Sequence, residues 1–278
     1  MGPAPMSKRL NHPSLAGTHN RFGRSRIGGG VTPSNSNARI VMPPTATGTS
    51  SAPLRPQGMA SSGNLGLNSD RLRALMVERL RRQGIADERV LSAMMAVPRH
   101  CFVDQGLASR AYEDAALPIG YGQTISQPWV VARMIAALCA DDMPSSVLEI
   151  GGGCGYQAAV LGHLVSRVFA VERILGLVEQ ARENLKGLRL TGRVRMTHGD
   201  GMQGLPGQAP FDAIVVAAAG PRIPQALLEQ LAVGGRLIAP EGGTEQHLVL
   251  IHRTAPSSWQ RELLEPVRFV PLRAGIQS

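Results

Sequence analysis

The residues from Val147 to Gly155 combine a short apolar run, an acid and three glycines at alternate positions. The apolar run predicts a buried strand, and Gly151, Gly153 and Gly155 predict a tight turn that leads into a helix. Because glycine has no Cβ and adopts positive φ, the backbone of such a turn can approach a ligand closely. Tyr156 occupies the position of the third glycine in the G-x-G-x-x-G dinucleotide fingerprint. The spacing therefore favours an adenosyl nucleoside without a pyrophosphate, with S-adenosylmethionine as the candidate; a purely structural turn is the alternative.

Three acidic side chains accompany the predicted strand ends. Glu149 lies two positions before the first glycine of the turn and is predicted to belong to the cofactor site. Glu172 ends the next strand, where an acid in a doubly wound sheet accepts hydrogen bonds from both ribose hydroxyls; capping of the following helix is the alternative. Asp200 and Gly201 end the third strand, where the carboxylate can accept from an adenine amine while the glycine leaves room for the ring. An Asx-turn at Asp200 is the alternative.

The segment Pro118–Pro128 is polar and rich in turn-forming residues, and it ends at a predicted helix over Ser126–Leu138. The sequence predicts Ser126 as the N-cap of that helix, with Pro128 in the first turn. Free N–H groups at a helix N-terminus favour an anion, so a substrate carboxylate can dock there with the Ser126 hydroxyl as an additional donor. A serine that only caps its own helix is the alternative.

From Val147 onward, strand-like and helical runs alternate, which predicts an α/β fold. We expect a Rossmann-like, doubly wound, mostly parallel sheet with helices on both faces. The predicted strands are Val147–Ile150, Val168–Val171, Val194–His198, Ala213–Ala217, Arg236–Ala239, His247–His252 and Val267–Val270. The predicted helices are Gln157–Val165, Ile174–Leu190 and Pro224–Leu231. The last two strands, joined by a turn-rich link, predict an antiparallel hairpin that closes the sheet.

Ahead of this region the sequence predicts two helices, over Asp70–Gln83 and Asp87–Ala96, the second ending before Pro98. From Arg99 to Gln127, glycines and prolines interrupt every regular pattern. Long irregular stretches inside a compact domain are uncommon and are often functional.

The basic residues are unevenly distributed along the 278-residue chain, whose formal net charge is +9. Of its 29 Lys and Arg, seven lie in residues 1–69, which contain no Asp or Glu and are rich in Gly, Pro, Ser and Asn. Such a segment cannot bury enough apolar surface to offset the entropy of ordering. We therefore predict a disordered basic extension over residues 1–69 and one folded domain over residues 70–278, whose near-balanced charge gives no reason to expect specific nucleic-acid binding.

The three cysteines, Cys101, Cys139 and Cys154, are too few for a disulfide framework and fit a reducing cytoplasm. The seven histidines make no metal-ligand spacing with them, so no metal is predicted. No run of 18 apolar residues occurs, so no transmembrane helix is predicted.

The sequence from about Asp70 to Leu272 resembles the protein-L-isoaspartate (D-aspartate) O-methyltransferase family. The element Gln-Thr-Ile-Ser-x-Pro is specific to that family, whereas the glycine turn is shared by many methyltransferases. The segments that carry the resemblance are Val97-Pro-Arg-His100, Ala111-Tyr-Glu-Asp114, Leu117-Pro-Ile-Gly120, Gly122-Gln-Thr-Ile-Ser-Gln-Pro128, the glycine turn, Gly199-Asp-Gly201, Pro224-Gln-Ala-Leu-Leu228 and Gly234-Gly-Arg-Leu237.

The resemblance implies a cytoplasmic repair enzyme that moves a methyl group from S-adenosylmethionine to the free α-carboxylate of L-isoaspartyl residues in damaged proteins and peptides. It implies Ser126 as the active-site residue, Glu172 on the ribose, and Asp200 with Gly201 at the adenine. The methionine end of the cofactor is implied to lie beside the glycine turn and Gln123, Thr124, Ile125 and Ser126. The implied substrate-side edge is Val270, Pro271 and Leu272.

Other functions stay open at this point. A methyltransferase that acts on RNA or a small molecule would share Val147–Gly201 but would not need the Gln123–Pro128 element. A nicotinamide oxidoreductase is disfavoured by the glycine spacing and Asp200. A nucleic-acid-binding protein would act through residues 1–69, yet these contain a single aromatic residue, Phe22, and dispersed arginines.

Overall fold

The computed structural model describes residues 65–278. Residues 1–64 of the extension that is predicted to be disordered therefore lie outside the described residues. The helices are α1 (Leu65–Arg82), α2 (Glu88–Ala96), α3 (Pro128–Leu138), α4 (Tyr156–Leu164), α5 (Leu175–Gly187) and α6 (Gln225–Gln230). The strands are β1 (Leu117–Gly120), β2 (Gln123–Ile125), β3 (Ser146–Ile150), β4 (Arg167–Glu172), β5 (Val194–His198), β6 (Phe211–Val216), β7 (Leu231–Gly242), β8 (Gln246–Ala255) and β9 (Ser258–Val267).

Strands β3 to β9 form one sheet in the order β5-β4-β3-β6-β7-β8-β9. The first five strands of this order are parallel, and β8 and β9 are antiparallel to their neighbours. The predicted α/β fold, with its mostly parallel sheet and closing hairpin, is confirmed. The chain moves outward from β3 to β5 and then returns to β6, so the strand order reverses between β3 and β6. Ligands of open α/β sheets bind outside the carboxyl ends of the strands at such a reversal.

Alternate residues of the central strands face opposite sides of the sheet. On β4, Val168 and Ala170 belong to one hydrophobic cluster, whereas Phe169 and Val171 belong to another. Helices α1 to α5 contribute to the first cluster and α6 to the second. Because the central strands are buried on both faces, they provide a rigid base for the loops at their carboxyl ends.

The structure corrects three boundaries. Helix α1 begins at Leu65, five residues before its predicted start. The stretch from Arg99 to Gln127, predicted to be irregular, contains two short 3₁₀ helices and the antiparallel hairpin β1–β2. The predicted last strand, Val267–Val270, is wrong, because β9 ends at Val267. Most residues of β9 are exposed and three of its ten are charged, so pairing of its backbone with β8 produces a strand that side-chain patterning does not signal.

Candidate active site

Two adjoining clefts lie at the carboxyl ends of β3, β4 and β6. The larger, of about 610 Å³, is lined by Glu172 and is here called the Glu172 cleft. The smaller, of about 350 Å³, is lined by Ser126 and is called the Ser126 cleft. The residues common to both clefts are Ile119, Thr124, Gly151, Gly153 and Ala217. The two clefts therefore meet at the glycine turn, where one extended ligand can occupy both.

The glycine turn has the backbone conformation that its sequence predicts. Gly151 and Gly155 have φ of +81° and +85°, which a residue with a side chain rarely adopts. Gly151 and Gly153 line both clefts. Gly155, also predicted to bind the cofactor, lines neither cleft and faces α5, where an added Cβ would lie 3.2 Å from the Cβ of Ala181. Gly155 thus allows α4 and α5 to pack closely.

The carboxylate of Glu172 is buried and fixed by two backbone donors. Oε2 accepts from the N–H of Gly153 at 3.0 Å, and Oε1 accepts from the N–H of Ile174 at 2.9 Å. The second contact gives an acceptor to the N–H of Ile174, the N-cap residue of α5. Glu172 therefore also helps to cap the following helix, as the alternative predicted. An ionised carboxylate has about four acceptor sites, so each oxygen can still accept a bond from a ligand in the cleft.

Both oxygens of the Asp200 carboxylate accept a backbone hydrogen bond. Oδ1 accepts from the N–H of Met202 at 2.9 Å, which is the Asx-turn alternative, and Oδ2 accepts from the N–H of Gly275 at 2.8 Å. Asp200 lines neither cleft, whereas Gly201 lines the Glu172 cleft. The adenine contact of Asp200 stays a prediction, and in the structure its carboxylate anchors the C-terminal segment.

The prediction that Ser126 caps a helix is wrong. Helix α3 begins at Pro128, and its N-cap is Gln127. A residue before proline is held in an extended conformation, and Gln127 has φ −58° and ψ 147°, so the helix cannot start earlier. Ser126 instead follows β2, half-buried, and lines the Ser126 cleft. The hydroxyl is therefore available to a ligand.

The remaining residues of the predicted methionine-end site lie on the β1–β2 hairpin. Gln123 lines the Glu172 cleft, Ile125 lines the Ser126 cleft, and Thr124 lines both. The structure thus brings the family-specific element and the glycine turn to the same crevice, although 26 positions separate Ile125 from Gly151 in the sequence.

Two buried polar side chains line the Ser126 cleft, and each has one atom that forms no hydrogen bond with the protein. Glu149 is 1 % exposed, and its Oε2 has no hydrogen bond. Burial, and secondarily the nearby Glu172, raise the pKa of Glu149 well above its usual value. Gln157 is 6 % exposed, and its Nε2 is likewise unpaired. The sequence does not reveal Gln157, because a single polar residue near the start of a helical run carries no specific signal.

The predicted substrate-side edge lines the Glu172 cleft. Ala219 donates its N–H to the carbonyl of Val270 at 2.8 Å and accepts from the N–H of Leu272 at 2.7 Å. Pro271 lies between them, and Arg273 extends the same rim. This backbone pairing fixes the segment beside the loop after β6.

Within residues 65–278, no group of three or more His, Cys, Asp or Glu side chains is placed to hold a metal ion. No helix in the described part of the chain is long and apolar enough to cross a membrane.

Comparison with known proteins identifies relatives over most of the chain. The sequence profile of the protein-L-isoaspartate (D-aspartate) O-methyltransferase family matches residues 71–277. Protein-L-isoaspartate O-methyltransferase of Bordetella parapertussis is 69% identical over 253 residues, which cover 91% of this chain and 96% of the relative. The Bordetella avium protein of the same name is 65% identical over 98% of this chain and 100% of the relative. That alignment extends into the residues before Asp70, whereas the family profile does not.

Solved structures agree with this assignment. A protein-L-isoaspartate O-methyltransferase superposes with a TM-score of 0.66 and 28% identity over 73% of this chain and 67% of that structure. A Plasmodium falciparum protein described by the same name, in complex with S-adenosyl-L-homocysteine, gives a TM-score of 0.63 and 28% identity over 72% of this chain and 98% of that structure. The chain belongs to the protein-L-isoaspartate (D-aspartate) O-methyltransferase family, whose members are S-adenosylmethionine-dependent enzymes.

Proposed function

We propose that this protein methylates the free α-carboxylate of L-isoaspartyl residues in damaged proteins and peptides, with Ser126 as the residue that orients the carboxylate. One observation carries the proposal. The Ser126 hydroxyl, which is not used as a helix cap, lies in the crevice that also contains the glycine turn. A carboxylate held at Ser126 is thereby next to the place where a cofactor would bind.

The residues of the crevice fit S-adenosylmethionine. Gly151 and Gly153 keep the space beside the turn free of side chains, and Glu172 offers acceptors for vicinal ribose hydroxyls. The unpaired polar atoms of Glu149 and Gln157 in the adjoining cleft require a polar ligand group. When bound, S-adenosylmethionine supplies a methyl group on a cationic sulfur.

The chemistry requires no general base from the protein. A carboxyl group with a reference pKa of about 3.9 is ionised at neutral pH, so the nucleophile is ready on arrival. The protein must instead place the carboxylate oxygen in line with the methyl carbon and sulfur, and positioning of this kind can supply roughly 7–11 kcal/mol. A single hydroxyl suits that task, because stronger hydrogen bonding would stabilise the carboxylate more than the transition state.

Replacing Ser126 with alanine tests the proposal. We expect methyl transfer to an isoaspartyl peptide to fall by roughly 10- to 150-fold, since a hydrogen bond to a charged group is worth about 1.5–3 kcal/mol. Affinity for S-adenosylhomocysteine should change much less. The assay measures incorporation of labelled methyl groups into the peptide and into its ordinary aspartyl twin, which should stay unmethylated.

Ser166→Ala is the matched control. The Ser166 hydroxyl is exposed and donates to the carbonyl of Ser145 at the opposite end of the sheet, so its loss should leave turnover unchanged. Equal turnover in wild type and Ser126→Ala would remove Ser126 from the reaction. Methylation of an RNA or small molecule, with none of the isoaspartyl peptide, would replace the proposed substrate.

Partners and compartment follow from the same proposal. The partners are proteins and peptides that carry isoaspartyl residues, and the compartment is the cytoplasm. Support comes from Cys101, Cys139 and Cys154, which are all free thiols in the structure. Burial raises the pKa of Cys139 and Cys154 to about 11, so neither forms a reactive thiolate at neutral pH.

A further inference from the structure

Helix α3, which begins just after Ser126, obtains its cap from another segment of the chain. Its own N-cap residue, Gln127, makes no side-chain capping bond, and Pro128 has no N–H to satisfy. The N–H of Trp129, the second residue of the helix, instead donates to Oδ1 of Asp114 at 3.1 Å. A carboxylate at this place pairs an otherwise free N–H and is favoured by the helix dipole. Asp114 therefore takes the capping role that the sequence predicts for Ser126.

The contact between Asp114 and Trp129 extends the β1–β2 hairpin beyond its paired strands. In that hairpin, Leu117 on β1 pairs with Ile125 on β2. Asp114 lies three positions before Leu117 in the sequence. Trp129 lies four positions after Ile125. Ser126 belongs to neither β2 nor α3 and lies between these two contacts. The backbone on both sides of Ser126 is therefore tied to the same preceding segment, which restricts where the hydroxyl lies in the Ser126 cleft.

The segment that contains Asp114 is itself fixed by a buried cation. Arg99 is fully buried, and its guanidinium donates to the carbonyls of Ala111 at 2.7 Å and Ala115 at 3.4 Å. These two carbonyls lie on either side of Asp114 in the sequence. The second carboxylate oxygen of Asp114 accepts from Nε2 of Gln83 at 3.1 Å. Because hydrogen bonds from a charged donor are stronger than neutral ones, the backbone around Asp114 forms a firm anchor for α3.

We propose that Asp114 is a positioning residue for methyl transfer, because its bond to the Trp129 N–H holds the start of α3, and with it Ser126, where the in-line reaction requires them. The inference rests on the proposed function, since Asp114 acts through Ser126. Asp114 lines neither cleft, so it affects the reaction only through residues that do. A displacement of about 1 Å in a positioning group can cost about 100-fold in rate. The glycine turn and Glu172 belong to other elements, so cofactor affinity should depend little on Asp114.

Asp114→Ala removes the acceptor and tests the proposal in the full-length protein. We expect kcat for an isoaspartyl peptide to fall by roughly 10-fold, while the dissociation constant of S-adenosylhomocysteine, measured by calorimetry, changes by no more than about twofold. Asp114→Leu, an apolar variant closer in size to aspartate, repeats the measurement if the alanine protein does not fold.

The conservative variant Asp114→Asn should restore the reaction. Its amide oxygen can still accept from the Trp129 N–H, and the exposed Gln83 can turn its own amide to pair with the new nitrogen. Because asparagine and aspartate are about equally good caps, we expect this variant to keep at least about half of the wild-type kcat.

A double-mutant cycle shows whether Asp114 acts through Ser126. If the Ser126 hydroxyl transmits the effect, Asp114→Ala should lower kcat by less than about twofold once Ser126 is already alanine. Independent effects would multiply, and the reduction of roughly 10-fold would then recur in the Ser126→Ala background. A cap that only stabilises the fold would leave kcat unchanged at temperatures well below the melting temperature.

Asp87→Ala is the matched control. Asp87 is the N-cap of α2, where its Oδ1 accepts from the N–H of Arg89 at 2.9 Å, and it lines neither cleft. Its replacement removes a cap of the same kind from a helix that does not follow Ser126. The melting temperature should therefore fall, as in Asp114→Ala, while kcat stays unchanged.

Three outcomes would overturn the inference: an unchanged kcat in Asp114→Ala, equal losses in the alanine and asparagine variants, or the same loss with and without the Ser126 hydroxyl. A loss confined to S-adenosylhomocysteine affinity would also overturn it and would assign Asp114 to support of the cofactor site. Methylation of the isoaspartyl peptide by wild type, and its reduction in Ser126→Ala alone, report separately on the proposed function.

Discussion

Replacing Glu172 with glutamine changes one oxygen of a buried carboxylate into an amide nitrogen and tests how the crevice holds a ribose. In the structure both oxygens already accept backbone N–H bonds, at 3.0 Å from Gly153 and 2.9 Å from Ile174. The amide nitrogen cannot accept, so one of the two donors must lose its partner. An unsatisfied buried donor costs about 1–3 kcal/mol, and we expect the ligand-free variant to lose that much unfolding free energy.

The ribose should be held less tightly as well. Each carboxylate oxygen can accept one hydroxyl in addition to its backbone donor, and the glutamine retains a single accepting oxygen. The loss of one charge-assisted bond corresponds to about 1.5–3 kcal/mol, or roughly a 10- to 150-fold higher dissociation constant for S-adenosylhomocysteine.

Two measurements separate these effects. Chemical denaturation without ligand gives the stability cost, and titration calorimetry at equal ionic strength gives the affinity. The 2′-deoxy analogue of S-adenosylhomocysteine serves as the control, because a ligand that lacks one hydroxyl should lose less affinity on mutation. Unchanged affinity for S-adenosylhomocysteine, or an equal loss for both ligands, would refute the ribose role of Glu172.

Three further outcomes are expected. The raised pKa of Glu149 means that the folded state keeps a proton that the unfolded state releases above about its usual value of 4.5. Stability therefore falls as pH rises from there towards the folded-state pKa, and Glu149→Gln should raise the melting temperature at pH 7 but not at pH 4; an equal shift at both pH values would contradict this. Gly155→Ala should cost roughly 2–4 kcal/mol by denaturation, from its positive φ and the contact with Ala181, whereas Gly84→Ala, at φ +97° with open space around it, should cost only about 1–2; equal costs would exclude the packing role. Removal of residues 1–64, which spares α1, should leave methyl transfer intact, while loss of turnover on truncation would assign the extension a part in the reaction.

The central sheet was predictable because its strands are buried on both faces. Apolar runs such as Ala213–Ala217 are local signals that burial of the strand produces, and the glycine turn after β3 is a second local signal. The residues that the sequence misplaced depend on other interactions. β9 is held by backbone pairing and exposes charged side chains, so its pattern resembles a loop.

Within the candidate site, sequence and structure differ for a similar reason. The residue types at Ser126 and Asp200 allow two roles each, and the structure excludes one of the two only at Ser126. Pro128 prevents Ser126 from capping α3, and a backbone N–H that lies 75 positions from Asp200 in the sequence donates to its carboxylate. Gln157 becomes notable only when the absence of a protein partner for its amide is known.

The ribose that Glu172 is proposed to hold is shared by the methyl donor and its demethylated product. Because two backbone N–H groups hold the Glu172 carboxylate, we expect its position to stay the same after the methyl group has been transferred. Spent cofactor would therefore compete with fresh donor for the same contacts. Turnover is therefore expected to fall as S-adenosylhomocysteine accumulates.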